Sequence, residues 1–235
     1  MGLSTKGTGG GTGVSKLIEP GNTAAMIHKF ELDQPSFLAK DNGYYLVLHL
    51  EGPDMGPEFE GFFIDKDNES LGRHKGKVGK VKANQYPFKD GVTKSGVPVF
   101  RDNDIIKAIR NLLREMDEEE WLDKKDGEFD TIEELVEALN NDKPFAGKML
   151  NFCVAGRQYI KQNGYPANDC YLPKWSKFAL PFESITASPS KLAKFDPEIH
   201  VQLPKAVEGF SGDEEEDGGS TPPPPSAQDI SDFDI

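Results

Sequence analysis

The clearest periodic signal in the chain is a run of alternating residues at 44–51. Tyr44, Leu46, Leu48 and Leu50 fall on one face and Tyr45, Val47 and His49 on the other, the two-residue period of a half-buried strand. The cluster Gly52-Pro53-Asp54-Met55-Gly56-Pro57 must end it. Upstream, 23–33 predicts a first strand, with Ala25, Ile27 and Lys29 opposed to Ala24, Met26, His28 and Phe30. Downstream, the apolar stretch 58–65 predicts a third. The period then changes. Ile105, Ile106, Ile109, Leu112, Leu113 and Met116 recur at helical spacing behind a cap expected at Asp102 or Asn103. Thr131-Ile132-Glu133-Glu134 reads as a capping box before Leu135, Val136 and Leu139. A fourth strand is expected at 148–154, and hairpin-like β structure over 157–161 and 169–182, around a turn at Asn163-Gly164. Three strands, a helical insertion and further strands predict a mainly β fold. Its expected form is a five-stranded barrel like the oligonucleotide/oligosaccharide-binding (OB) fold, with a basic arm and two helices inserted between strands 3 and 4.

The flanks differ from this body. Residues 1–20 open on Gly, Thr and Ser and are expected to be a flexible arm. Residues 21–207 hold the patterned domain. Residues 208–235 form a low-complexity acidic tail, expected to be disordered, with a stiff Pro222-Pro223-Pro224-Pro225. The tail carries nine acids and no Lys or Arg, and it ends in Asp229-Ile230-Ser231-Asp232-Phe233-Asp234-Ile235. Large apolar residues alternating with acids suit insertion into a partner's pocket rimmed by basic groups.

Charge changes the picture next. The formal net charge is −13, but without the tail 31 acids face 27 bases, or −4. Between Lys66 and Arg101 nine bases stand against three acids, a local +6. Low overall pI therefore does not argue against a nucleic-acid ligand. The basic run, interleaved with glycine and followed by aromatic residues, supplies what a phosphate backbone and stacked bases require. Candidate contacts are Lys66, Arg73, His74, Lys75, Lys77, Lys80, Lys82, Tyr86, Phe88, Lys89 and Arg101. On the strands they are Tyr45, Arg157, Tyr159, Lys161 and Trp175. Phe59, Phe62, Phe63 and Phe152 read as core.

Catalytic and metal chemistry find little support. The N-terminal glycines do not make a Walker motif, and 65–76 lacks the Gly and Glu of a calcium loop. His28, His49, His74 and His200 have no metal-ligand spacing, so no metal or other cofactor is expected. Asp54 and Glu60 lack the partner residues of a nuclease site. Two cysteines are too few for a disulfide framework, and no apolar run is long enough to span a bilayer. A cytoplasmic protein is expected.

The strand order, the basic aromatic arm and the acidic tail tipped with Asp232-Phe233-Asp234-Ile235 together resemble the replicative single-stranded-DNA-binding proteins of bacteria and their phages. The stretch from Phe59-Glu60-Gly61-Phe62-Phe63-Ile64-Asp65 through Leu71-Gly72-Arg73 is similar to a segment of tailed-phage proteins of that class. The resemblance implies non-catalytic cover of single strands during replication or recombination. It also implies that Asp229, Ile230, Asp232, Phe233, Asp234 and Ile235 recruit replication proteins. The tip departs from the bacterial pattern, which ends in Ile-Pro-Phe. Homo-oligomerisation is open. Two other classes stand beside this one: an interaction or virion-assembly module whose basic arm is only a loop, and an enzyme on a similar barrel.

Overall fold

The computed structural model describes residues 15–62, 73–160, 166–174, 176 and 179–203. The chain divides into two units, Met1–Pro204 and Lys205–Ile235. The second, with the acidic tail and its proposed partner-binding tip, lies outside the described residues, as do Lys66, Lys161 and Trp175.

Five strands close a barrel. Strand β1 (Gly21–Asp33) pairs antiparallel with β2 (Tyr45–Glu51), and β2 with β3 (Val78–Lys82). A short hairpin follows, β4 (Gly91–Val92) with β5 (Pro98–Val99). Helices α1 (Arg101–Glu115), α2 (Glu120–Lys124) and α3 (Ile132–Asp142) lead to β6 (Met149–Ile160) and β7 (Pro166–Tyr171). Strand β7 lies parallel to β3 and antiparallel to β6, and β6 returns to β1. The circuit β1-β2-β3-β7-β6-β1 is that of an OB-like barrel. Strand β8 (Phe182–Ser184), the short helix α4 (Pro197–His200) and β9 (Val201–Gln202) complete the described part, and both strands add to β6.

The interior is filled from both sides. Leu46, Leu48 and Leu50 of β2, Ala25, Ile27 and Phe30 of β1, and Val81 of β3 meet Ile105, Ile109, Leu112 and Leu113 of α1. Leu135, Val136 and Leu139 of α3 join the same core. Phe30 and Phe145 pack edge to face at 5.1 Å, a favoured aromatic geometry. Helix α3 begins with half of the expected capping box: Thr131 accepts the Glu134 amide, while Glu134 reaches back one residue further, to the Asp130 amide in place of that of Thr131. Its C-cap, Lys143, is left-handed and is followed by Pro144, which cannot continue a helix.

Several expectations need correction. The third barrel strand is Val78–Lys82, inside the expected basic arm, and the described part of 58–65 forms no strand. Gly79 and Val81 face inward opposite Leu50 and Leu48, which leaves Lys80 and Lys82 pointing out, so the bases are staves of the barrel. Residues 15–20, expected to be flexible, are anchored: the Ile18 amide donates to the Val78 carbonyl and the Val78 amide to the Lys16 carbonyl. Gly79 permits this approach, since a Cβ there would stand 2.9 Å from that of Ile18. Three helices occupy the insertion, because the five-residue α2 joins the two expected ones. Helix α1 starts at Arg101 without a side-chain cap of its own, and Asp90 accepts the Arg101 amide instead. Lastly, the register of β1 slips between Ile27 and Lys29. This bulge turns Phe30 to the same interior as Ile27 and leaves both His28 and Lys29 exposed, against the alternation read from the sequence.

Candidate nucleic-acid interface

The outward face of β1, β2 and β3 forms the floor of a cleft of about 820 Å³. Each basic side chain reaches it by a different device. Lys29 comes from the β1 bulge and Lys80 from β3. Lys16 lies on the anchored N-terminal segment. Lys143 comes from the left-handed end of α3, and Arg73 from the segment that crosses the end of β2. His28, His49 and His74 complete the polar lining, and among the described residues no Asp or Glu is part of it. Leu17 and Phe62 supply exposed apolar surface, so cationic and apolar groups share one wall.

Among the described residues, Glu31, Glu51 and Glu60 stand beside the cleft and bond its basic groups, Glu60 pairing with Arg73 at 3.4 Å. Glu31 accepts from Lys80 Nζ at 2.9 Å and contacts His49 Nε2. Burial pushes its carboxyl up, but Lys80 and His49 outweigh that and hold it below the usual range. His49 is pushed down mainly by burial, against the pull of Glu31. Glu51 is 8 % exposed and sits at the end of β2. Its Oε1 accepts the backbone amides of Lys75 at 2.8 Å and Gly76 at 3.3 Å. Its Oε2 contacts His28 Nε2 and lies 3.4 Å from His74 Nδ1. Burial raises the Glu51 carboxyl, yet His28, the Lys75 amide and His74 together leave it lowered. Gly76 makes the arrangement possible: a Cβ there would stand 2.2 Å from the Gly52 carbonyl oxygen, so only glycine lets 75–76 approach.

The sequence candidates divide into those at the cleft and those elsewhere. Arg73, His74 and Lys80 line it. Lys75 is exposed and Lys77 half-buried on the same crossing segment. Lys82 lies on β3 but pairs with Asp169 at 2.8 Å and stacks 4.2 Å above the Tyr45 ring. Tyr45 is therefore covered by that lysine. Lys89 pairs with Asp41 at 2.7 Å. Phe88 packs against the core and its backbone pairs with Tyr44. Arg101 is buried, donates to the Asn42 carbonyl and to Asp102, and lies over the Tyr44 ring, so its guanidinium serves the fold. Arg157 is exposed and bonds Gln202, and Tyr86 and Tyr159 are exposed rings outside the cleft lining.

Sequence reasoning missed Lys16, Lys29, Lys143, His28, His49 and Phe62. Phe62, expected in the core, lines the cleft with 40 % of its surface exposed. Of the other aromatics expected inside, Phe152 is fully buried, Phe59 half-buried, and Phe63 outside the described residues. Phe62 is turned to the cleft beside Gly61, which has no room for a side chain: its Cβ would stand 1.8 Å from the His74 carbonyl oxygen. Both cysteines are buried and free, and Cys170 is pushed up to about 11 by burial and then by Asp169 and Glu19. Among the described residues no helix is long and apolar enough to cross a membrane.

No known protein family, curated protein or solved structure matches the chain.

Proposed function

We propose that the protein binds single-stranded DNA without catalysis and largely without regard to sequence, in replication or recombination. The carrying observation is the cation-rich cleft on the outer face of β1–β3, where Lys16, Lys29, Arg73, Lys80 and Lys143 surround an exposed Phe62. Cations in a groove hold phosphates, and an aromatic face accepts any base. An OB-like barrel offers this face to oligonucleotides. The acidic tail is proposed to act twice, recruiting replication proteins through 229–235 and competing with DNA for the cleft through its nine acids. Tethering would place the tail at about millimolar concentration near its own domain.

The test is a titration of fluorescent oligonucleotides of mixed sequence, single-stranded and duplex, at about 50 and 200 mM salt. Single strands should bind more tightly than duplex. Each phosphate neutralised on a single strand contributes about −0.7 to the slope of log affinity against log salt. Replacing Lys29, Lys80 and Lys143 together by Ala should therefore flatten the slope by about 2 units, while Lys124→Ala on α2 should not. A preference for duplex, or an unchanged slope in the folded triple variant, would overturn the reading. Retention of partners without DNA binding would favour an interaction or virion-assembly module.

A further inference from the structure

We infer that His28, Glu51 and His74 form a binding site for a zinc-class divalent cation. The three come from the β1 bulge, the end of β2 and the crossing segment after residue 72, and their ligand atoms lie within 4.8 Å of one another. Tetrahedral zinc with bonds near 2.0–2.1 Å sets its donors about 3.3 Å apart. The separation of His74 Nδ1 from Glu51 Oε2, 3.4 Å, already has that value, while His28 Nε2 touches the same oxygen directly and would draw back by a side-chain rotation to admit the ion. The two imidazoles stand edge to face at 5.4 Å, so their nitrogens converge on one carboxylate oxygen.

Two independent features point to a ligand. His74 Nδ1 is buried without a well-formed hydrogen bond, facing Glu51 Oε2 only at 3.4 Å, and a buried polar atom so poorly satisfied calls for an explanation. Glu51 is held in place by outer contacts: the amides of Lys75 and Gly76 occupy Oε1 and leave Oε2 for the histidines. Such bonds orient metal ligands and are worth 10–100-fold in affinity. Two imidazoles and one carboxylate favour zinc and neighbouring transition metals over magnesium or calcium, which prefer all-oxygen shells. Three protein donors leave a fourth position for water. Bound there, the cation would fasten the crossing segment to β1 and β2. The site does not depend on what fills the cleft.

The full chain, stripped with chelator, would be titrated with Zn²⁺ against a chromophoric chelator, with millimolar Mg²⁺ present to occupy surface carboxylates. One zinc should bind per chain, and zinc should raise the melting temperature. His28→Gln and His74→Gln should each weaken binding at least about tenfold and remove the thermal shift, while His200→Gln should change neither. Co²⁺ in place of zinc should show visible d–d bands without thiolate charge transfer, because no cysteine lies in the site. If His74→Gln does not fold, His28→Gln decides, since that side chain is 44 % exposed. Failure of the native chain to bind zinc would overturn the inference. So would undiminished binding in the folded variants.

Discussion

Asn140 closes a gap that the barrel itself leaves open. Among the described residues strand β1 pairs with β6 from Gly21 to Met26, and beyond that point no described strand lies beside the same edge. Phe30 lies in the unpaired stretch and is fully buried, so its backbone groups cannot reach water. The side chain of Asn140, on the last turn of α3, takes the place of a strand: its Oδ1 accepts the Phe30 amide at 2.9 Å and its Nδ2 donates to the Phe30 carbonyl at 2.8 Å. Asn140→Ala strands one buried donor and one buried acceptor, each costing about 1–3 kcal/mol. Asn140 is half-buried, so water can partly replace it, and a total of about 2–4 kcal/mol follows. In a domain of this size each kcal/mol lowers the melting temperature by about 2–4 °C, which predicts a drop of roughly 4–16 °C. Urea denaturation should show a lower midpoint with an unchanged m value. Asn140→Asp should be no better than Ala: the carboxylate still accepts the amide but faces the carbonyl without a proton to donate. Asn141→Ala, on an exposed neighbour, serves as the control and should stay within about 0.5 kcal/mol of the native chain. An Asn140→Ala variant as stable as that control would show that the amide bridge contributes nothing.

Phe62→Ala should reduce affinity for single strands by about 1–3 kcal/mol, the worth of one stacked base, in a chain that stays folded because Phe62 is 40 % exposed and outside the buried core; affinity within twofold of native would take Phe62 out of the interface. The thiols give a pH-linked prediction. Burial disfavours the thiolate, so Cys170, at about 11, is roughly 10⁻³ ionised at pH 8, against about a quarter for a free cysteine. A thiol reagent at pH 8 should therefore label Cys170 far more slowly in the native chain than in denaturant, and equal rates would contradict its burial.

The parts legible in the sequence were those where local pattern and tertiary role coincide. The alternation of Leu46, Leu48 and Leu50 placed β2, and the helical spacing of Ile105, Ile109 and Leu112 placed α1. The third strand was misplaced because 58–65 is the more apolar stretch. The actual strand has a glycine at one inward position and lysines at its outward ones. Only closure against β7, a contact distant in the chain, selects it. The same cause hid most of the cleft. Lys16, Lys29 and Lys143 look like scattered surface charges until the N-terminal pairing, the β1 bulge and the end of α3 bring them together. His28, Glu51 and His74 have no ligand spacing along the chain, because a bulge and a backbone crossing, neither with a short motif, assemble them.

The contact between Gly61 and His74 has a consequence for how this protein can change. The His74 amide donates to the Phe62 carbonyl at 2.8 Å, and Gly61 lies against the His74 backbone, so positions 62 and 74 are clamped together. The clamp rests on main-chain atoms, so the side chains at 62 and 74 can be exchanged without loosening it. Gly61 is the exception, because any side chain there would meet the His74 carbonyl oxygen and push the two segments apart. The lineage can therefore retune what this wall of the cleft presents to a ligand at 62 and 74, while position 61 stays fixed as glycine.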